Sequence, residues 1–284
     1  MDRRVRKQWS GVTVRKRKNT IESMRKNDII DAIGNCAYVC SVTTEGLAQA
    51  AGKLKAHTAA RLALTSMALW WRTPSSALDG FNLRIDRIVR LQRSVVFVPG
   101  KVTLAGFSMQ GRPHGPFVSP AKWTDILQRN KIIFEVAGEL IEFYLSPSGS
   151  VRRPRLMNTL AQALLWFHEG CRDQVDLMAI VKFSATLDAL ASGGKAPGIE
   201  KLIQARLGLG PSDPIRTTGE TVKQAVAEIY SDGRSRTIHG TNDNIAGDWT
   251  ATRRLSEELA RHCLITCLDW AATNNSNDPK LLMQ

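Results

Sequence analysis

The feature that most constrains the fold is the series of apolar stripes at helical spacing that begins after residue 150. Leu156, Leu160, Leu164, Phe167 and Cys171 make one stripe; Leu177, Val181, Leu187 and Leu190 make part of a second. Side chains three and four positions apart share one helix face, so such stripes need further helices to cover them. Ala191-Ser192-Gly193-Gly194 stops the second helix, a short helix over 199–207 follows, and Gly208 to Pro214 make a Gly/Pro-rich turn. Val222, Val226, Ile229 and Gly233 line the inner face of the next helix, with Thr217 and Glu220 placed as its capping box. A last helix over 249–271 should bury Leu255, Leu259, Cys263 and Trp270 and turn Arg253, Arg254, Glu257 and Glu258 outward.

The first half is more mixed. Residues 45–71 carry a helical pattern through Leu47, Ala51, Leu54, Thr58, Leu62 and Met67, ended by Thr73-Pro74-Ser75-Ser76. Phe81, Leu83 and Ile85 alternate as a strand does, and two further strands, 95–98 and 102–107, should meet around Pro99-Gly100. Residues 108–118 read as a loop. Ser119-Pro120 opens a short helix to Arg129. Ile133, Val136, Ala137, Leu140, Ile141 and Tyr144 predict a helix over 131–145, with a hairpin turning at Ala137-Gly138 as the alternative.

The expected architecture is therefore mainly α. A basic arm (1–27) precedes an α+β domain (28–150), a helical domain (151–272) and a disordered tail (273–284), with the domain boundary in Ser146-Pro147-Ser148-Gly149-Ser150. The 39 Lys and Arg outnumber the 26 Asp and Glu, a formal charge of +13 that favours polyanionic partners, chiefly nucleic acid. Residues 3–26 alone hold ten of those cations against Glu22. No apolar run is long enough to span a bilayer, and no apolar signal core follows the basic start. The odd count of five cysteines fits reduced, intracellular thiols and a cytoplasmic location. Two Cys-x3-Cys pairs, Cys36/Cys40 and Cys263/Cys267, have a spacing that zinc could use, but the second lies on the apolar face of a helix, where cysteines pack as small hydrophobes, and zinc is not the favoured reading. His168 and His262 are placed on helix surfaces and His114 in a loop; none is assigned a role. No metal or organic cofactor is expected.

The chemistry concentrates in Ile229 to Gly240. Arg234 and His239 stand five positions apart, a permanent cation and a group that trades a proton near neutral pH. RNA carries its own nucleophile, the 2′-hydroxyl, so its cleavage needs proton transfer and charge stabilisation rather than a metal. His239 can act as base or acid and Arg234 can grip phosphate oxygens. Ser235 could orient a phosphate or the imidazole, or be a plain surface serine. Arg236 reads as a solvated or phosphate-touching cation. On an unbroken α-helix, five residues turn about 140°, which separates the two side chains. Two copies meeting across a symmetric dimer would solve that.

Four long helices and a short one, with an arginine–histidine pair ending the penultimate long helix, resemble the HEPN superfamily of ribonucleases, in particular its Apea-like subgroup. The residues carrying the resemblance are Ile229-Tyr230, Arg234-Ser235 and His239-Gly240, with Asp188 in Thr186-Leu187-Asp188-Ala189-Leu190 at the position of an upstream glutamate. The gap between Tyr230 and Arg234 is one residue longer than the family pattern, and the resemblance covers roughly residues 150–272. It implies a HEPN-like helical bundle and a metal-independent endoribonuclease acting on RNA in defence against phage or other invaders. Arg234, His239 and Ser235 would be catalytic, and Asp188, Tyr230 and Arg236 supporting. A homodimer with a composite site and partner proteins of a defence system are further implications. The alternative is a non-catalytic RNA- or DNA-binding module, or an adaptor subunit of a defence complex.

Overall fold

The computed structural model describes residues 20–33, 40–81, 83, 86, 91–99, 101–109, 118–146 and 151–284, the strand residues by their backbone alone. By contacts the chain divides into two units, Met1–Glu45 and Gly46–Gln284. In the first unit Thr20 opens helix α1 (Ile21–Ile33), its hydroxyl oxygen accepting from Ser23 N at 3.1 Å. Residues 1–19 of the expected arm, and Cys36, lie outside the described residues. The arm's expected end at residue 27 falls within α1.

The second unit is built on a helical hairpin. Helices α6 (Pro154–Arg172) and α7 (Asp176–Leu190) are joined by three residues and pack along their length. Their stripes meet in Phe167 and Phe183, ring centroids 5.4 Å apart. Gly170 lets the chains come close: a methyl group there would stand 2.7 Å from the Phe183 ring. Helix α11 (Thr250–Thr273) covers another side of α7, so α7 is enclosed on several faces. Ile180 and Phe183 are accordingly buried alongside Leu177, Leu187 and Leu190, whereas Val181 is only partly so. A helix covered on several sides has no single apolar stripe, so the sequence pattern picked out only part of its core.

The expected boundary at 146–150 does not separate two cores. Helices α2 (Gln49–Ala68), α3 (Pro74–Phe81) and α5 (Lys131–Leu145) bury Leu62, Leu78, Val136 and Leu140 in the same cluster as Leu160, Leu164 and Cys263. Arg153, itself buried, ties the two parts together: it pairs with Glu139 of α5 and donates to the carbonyls of Ala271 and Asn274, closing the C-terminus of α11. A bidentate guanidinium on a carboxylate satisfies both groups where water is excluded. The described core residues of 46–150 therefore belong to this shared core, and α4 (Pro120–Arg129) starts as expected, with Ser119 accepting from Lys122 N at 3.2 Å. Strands β1 (Leu91–Val98) and β2 (Lys101–Met109) form one antiparallel hairpin, pairing Leu91 with Met109 and Val98 with Lys101. Phe81 closes α3 rather than starting a strand. Ala137-Gly138 lies within α5, so the alternative hairpin there is not formed.

Two further expectations give way to packing. Leu54, placed on the inner face of α2, is 67% exposed; the buried face is the small and polar set Thr58, Ala59, Thr65 and Ser66 around Leu62. The tail beyond Thr273 is ordered. Asp278 caps a short 3-10 turn (Pro279–Met283), Leu282 is fully buried against helix α8 (Lys195–Leu207), and Asn277 accepts from Arg155 N at 2.7 Å. Burying Leu282 contributes about 1.5–3 kcal/mol toward holding this segment. Among the described residues no helix is long and apolar enough to cross a membrane.

Candidate functional site

Helix α9 (Val222–Val226) begins at a capping box four residues later than expected. Thr221 accepts from Gln224 N at 3.4 Å and Gln224 accepts from Thr221 N at 2.9 Å. Glu220 instead pairs with Arg216 at 2.8 Å, and Arg216 lies 3.9 Å from Glu228. Burial, with help from the Glu228 charge and against Arg216, raises the Glu220 carboxyl above its ordinary value. Glu228 also accepts from the Thr252 hydroxyl, anchoring this segment to α11.

After one turn the helix widens. Ala227–Ser235 is a π-helix, and Arg236–Ile238 (α10) completes the element. A π-helix bonds each N–H to the carbonyl five residues back, so it takes up more residues per turn than an α-helix. The three residues between Tyr230 and Arg234 lie within it. Gly233 faces α7 within the wide turn, where a methyl group would stand 2.6 Å from Ile180 Cγ2. Ile229 is buried on the same side. The premise of an unbroken α-helix fails, and the 140° offset does not describe the relation of Arg234 to His239.

Three of the expected residues come together. The Arg234 guanidinium lies over the Tyr230 ring, 4.9 Å from its centroid, and its Nη2 is 3.4 Å from Asp188 Oδ2. Arg234 Nε is buried and has no partner among the described residues. The other Asp188 oxygen accepts from Lys195 N at 2.9 Å. An ion pair at 3.4 Å beside an unsatisfied donor leaves the guanidinium short of acceptors, and a buried donor without one is costly. An anion would reach only the part of the guanidinium that is not buried, which excludes Nε.

His239 closes the element as its C-cap. Gly240 adopts φ +69°, and the Gly240 and Thr241 amides donate to the Thr237 and Arg236 carbonyls at 3.3 and 2.8 Å. This is the Schellman closure that a glycine at this position permits. The His239 side chain is exposed and makes no hydrogen bond among the described residues. Ile238, 56% exposed, precedes it, and Ile245, 72% exposed, lies in the following loop. Ser235 is partly buried, with its carbonyl accepting from His239 N at 3.0 Å. Arg236 is exposed and 3.4 Å from Asp232, one helical turn back.

Sequence reasoning missed Asn242, whose amide donates to Thr237 Oγ1 at 2.8 Å and to the Asp232 carbonyl at 3.4 Å while its oxygen accepts from Asn244 N at 2.9 Å. Trp249 Nε1 donates to the Asn244 carbonyl at 3.0 Å. The Thr-Asn-Asp-Asn run after Gly240 is the signal that could have revealed this staple, because Asn side chains bond backbone two residues away.

His168 is not on a surface: it is 1% exposed between α2 and α6. Thr65 donates its hydroxyl proton to the Arg61 carbonyl at 2.7 Å, so it accepts from His168 Nδ1 at 2.9 Å. Nε2 is then the unprotonated nitrogen, buried without a partner. Burial, then the Arg172 charge, holds the imidazole down at about 4. Nearby Asp86 takes Arg61 bidentately at 2.6 and 2.8 Å. Burial would raise its carboxyl, but Arg61 and Arg172 outweigh it and keep it below the ordinary range. Cys263 and Cys267 are buried; burial raises the Cys263 thiol to about 12 and the Cys267 thiol well above its ordinary value, as for packed hydrophobes. Trp270, expected in the core, is half-buried beneath the Arg206 guanidinium, 5.4 Å from its ring.

Compared with known proteins, the chain matches no family model, no curated protein and no solved structure.

Proposed function

We propose that this chain is a metal-independent endoribonuclease of the HEPN kind. The observation that carries the reading is the setting of Arg234, with Tyr230 against its face, Asp188 at one edge and its Nε unsatisfied, on the element that ends at exposed His239. In the proposed reaction the RNA 2′-oxygen attacks phosphorus, a base takes its proton, and the bond to the 5′-oxygen breaks as an acid supplies a proton there. His239 serves as one proton carrier. Arg234 stabilises the charge that builds on the non-bridging oxygens. A second histidine is needed to complete the pair, so the working unit is a homodimer whose cleft draws on both copies. The cellular role that goes with this reading is defence against invading nucleic acid, with Ser235 and Arg236 as further phosphate contacts.

The test is cleavage of total RNA and tRNA in the presence of EDTA. Wild type should cut, His239→Ala should not, and a substrate with deoxyribose at the scissile nucleotide should resist. Loss of cleavage in EDTA, restored by Mg²⁺, would overturn the reading. A second reading, RNA binding without cleavage, is favoured by the absence of any hydrogen bond on the His239 imidazole among the described residues. Binding with no cleavage by wild type would select it.

A further inference from the structure

The charges around Arg234 partly cancel. Arg234 and Arg236 each already have a carboxylate 3.4 Å away, Asp188 and Asp232, which offsets part of the positive charge they offer an anion. One cation tied to this cluster lacks an acidic partner among the described residues: Lys195, exposed, at the first position of α8. Its backbone is bound to the cluster directly. Asp188 accepts from Lys195 N through Oδ1 and faces Arg234 through Oδ2, so a single carboxylate separates the Lys195 main chain from the guanidinium. The four-carbon stem of a lysine reaches farther than the width of a carboxylate.

Lys195 also sits at φ +55°, in the left-handed region that a side chain with a Cβ disfavours. Glycine would occupy that position without penalty. In the same turn Gly193 takes φ +75° and Gly194 φ −75°, and Ser192 is the other non-glycine residue at positive φ among the described residues, +53°.

We propose that Lys195 is a second phosphate-binding cation of the Arg234 site, positioned by Asp188 and contacting an RNA phosphodiester. This rests on the ribonuclease reading for the identity of the ligand, but its test reads binding rather than cleavage. The probe is a fluorescein-labelled single-stranded 2′-O-methyl RNA, which lacks the free hydroxyl needed for cleavage, titrated by anisotropy over a series of salt concentrations. Lys195→Gly should weaken binding several-fold at low salt and lower the slope of log Kd against log salt by about 0.7, the loss of one phosphate contact on a single strand. Its Tm should stay level or rise, because the left-handed strain is relieved. Lys195→Arg should restore both affinity and slope.

An unchanged slope in Lys195→Gly, with wild type binding and Arg234→Ala weakened, would overturn this proposal and leave the ribonuclease reading standing. A fall in Tm alongside the loss of affinity would assign Lys195 to the turn alone and overturn it too. Absence of binding by wild type would sink both.

Discussion

Arg234 shows how much a side chain's setting adds to its identity. Its five donors meet one carboxylate oxygen at 3.4 Å and an aromatic face, and Nε meets nothing among the described residues. Arg234→Lys keeps the charge but loses the planar fork and the stacking, so on the proposed mechanism cleavage should fall by roughly 10²-fold or more. Single-turnover assays at saturating protein, with Tm unchanged, are the check. His168 supports a different prediction. Its folded-state value of about 4 lies below its ordinary 6.5. Between those values the unfolded chain binds the proton and the folded chain does not, so stability is intact above pH 6.5 and declines as pH falls toward 4. The loss is at most about 3 kcal/mol. Chemical denaturation from pH 7 to pH 4 should show this slope in wild type and lose most of it in His168→Gln. Asp86, held low by Arg61, adds a further loss only as pH falls below the ordinary range of an aspartate.

The element that matters most is the π-helix, and its register depends on Gly233. A methyl group there would meet Ile180 Cγ2 at 2.6 Å, so Gly233→Ala should destabilise by about 1–3 kcal/mol through overpacking. Ile180→Leu moves the branch away from that contact. In a double-mutant cycle by urea denaturation, the pair should therefore cost less than the sum of its singles. Additive costs would show that the two residues are not coupled. The capping box at the start of the same element is worth less: Thr221→Ala should cost about 1 kcal/mol.

Over the whole second unit, one core joins helices from both sides of residue 150. A fragment of residues 151–284 loses the cover that α2 and α5 provide to α6 and α11, and Arg153 loses Glu139. It should lack the cooperative thermal transition of the full chain, as differential scanning calorimetry would register. The composite site proposed for the dimer has its own measure. When His239→Ala chains are co-folded with wild type and exchange into mixed dimers is verified, cleavage should follow the square of the wild-type fraction. A linear dependence would mean that each chain holds a complete site.

What the sequence determined by itself was local and periodic. The stripes of α6 and α11, the Ser119 cap, the strands flanking Pro99-Gly100 and the stop at Gly240 all follow from short-range spacing and turn chemistry, which the chain carries wherever it is placed. The approach of Asp188, Tyr230 and Arg234 depends on α7 lying against the π-helix, and only its outline was legible from their order. The rest was decided by tertiary contact. Burial of His168 and Arg153, the loss of a boundary at 146–150 and the docking of Leu282 each depend on which surfaces meet, and no spacing encodes that. The π-helix is the sharpest case. No spacing in Ala227–Ser235 marks the wider turn, and within it Gly233 packs against Ile180 where a methyl group would not fit.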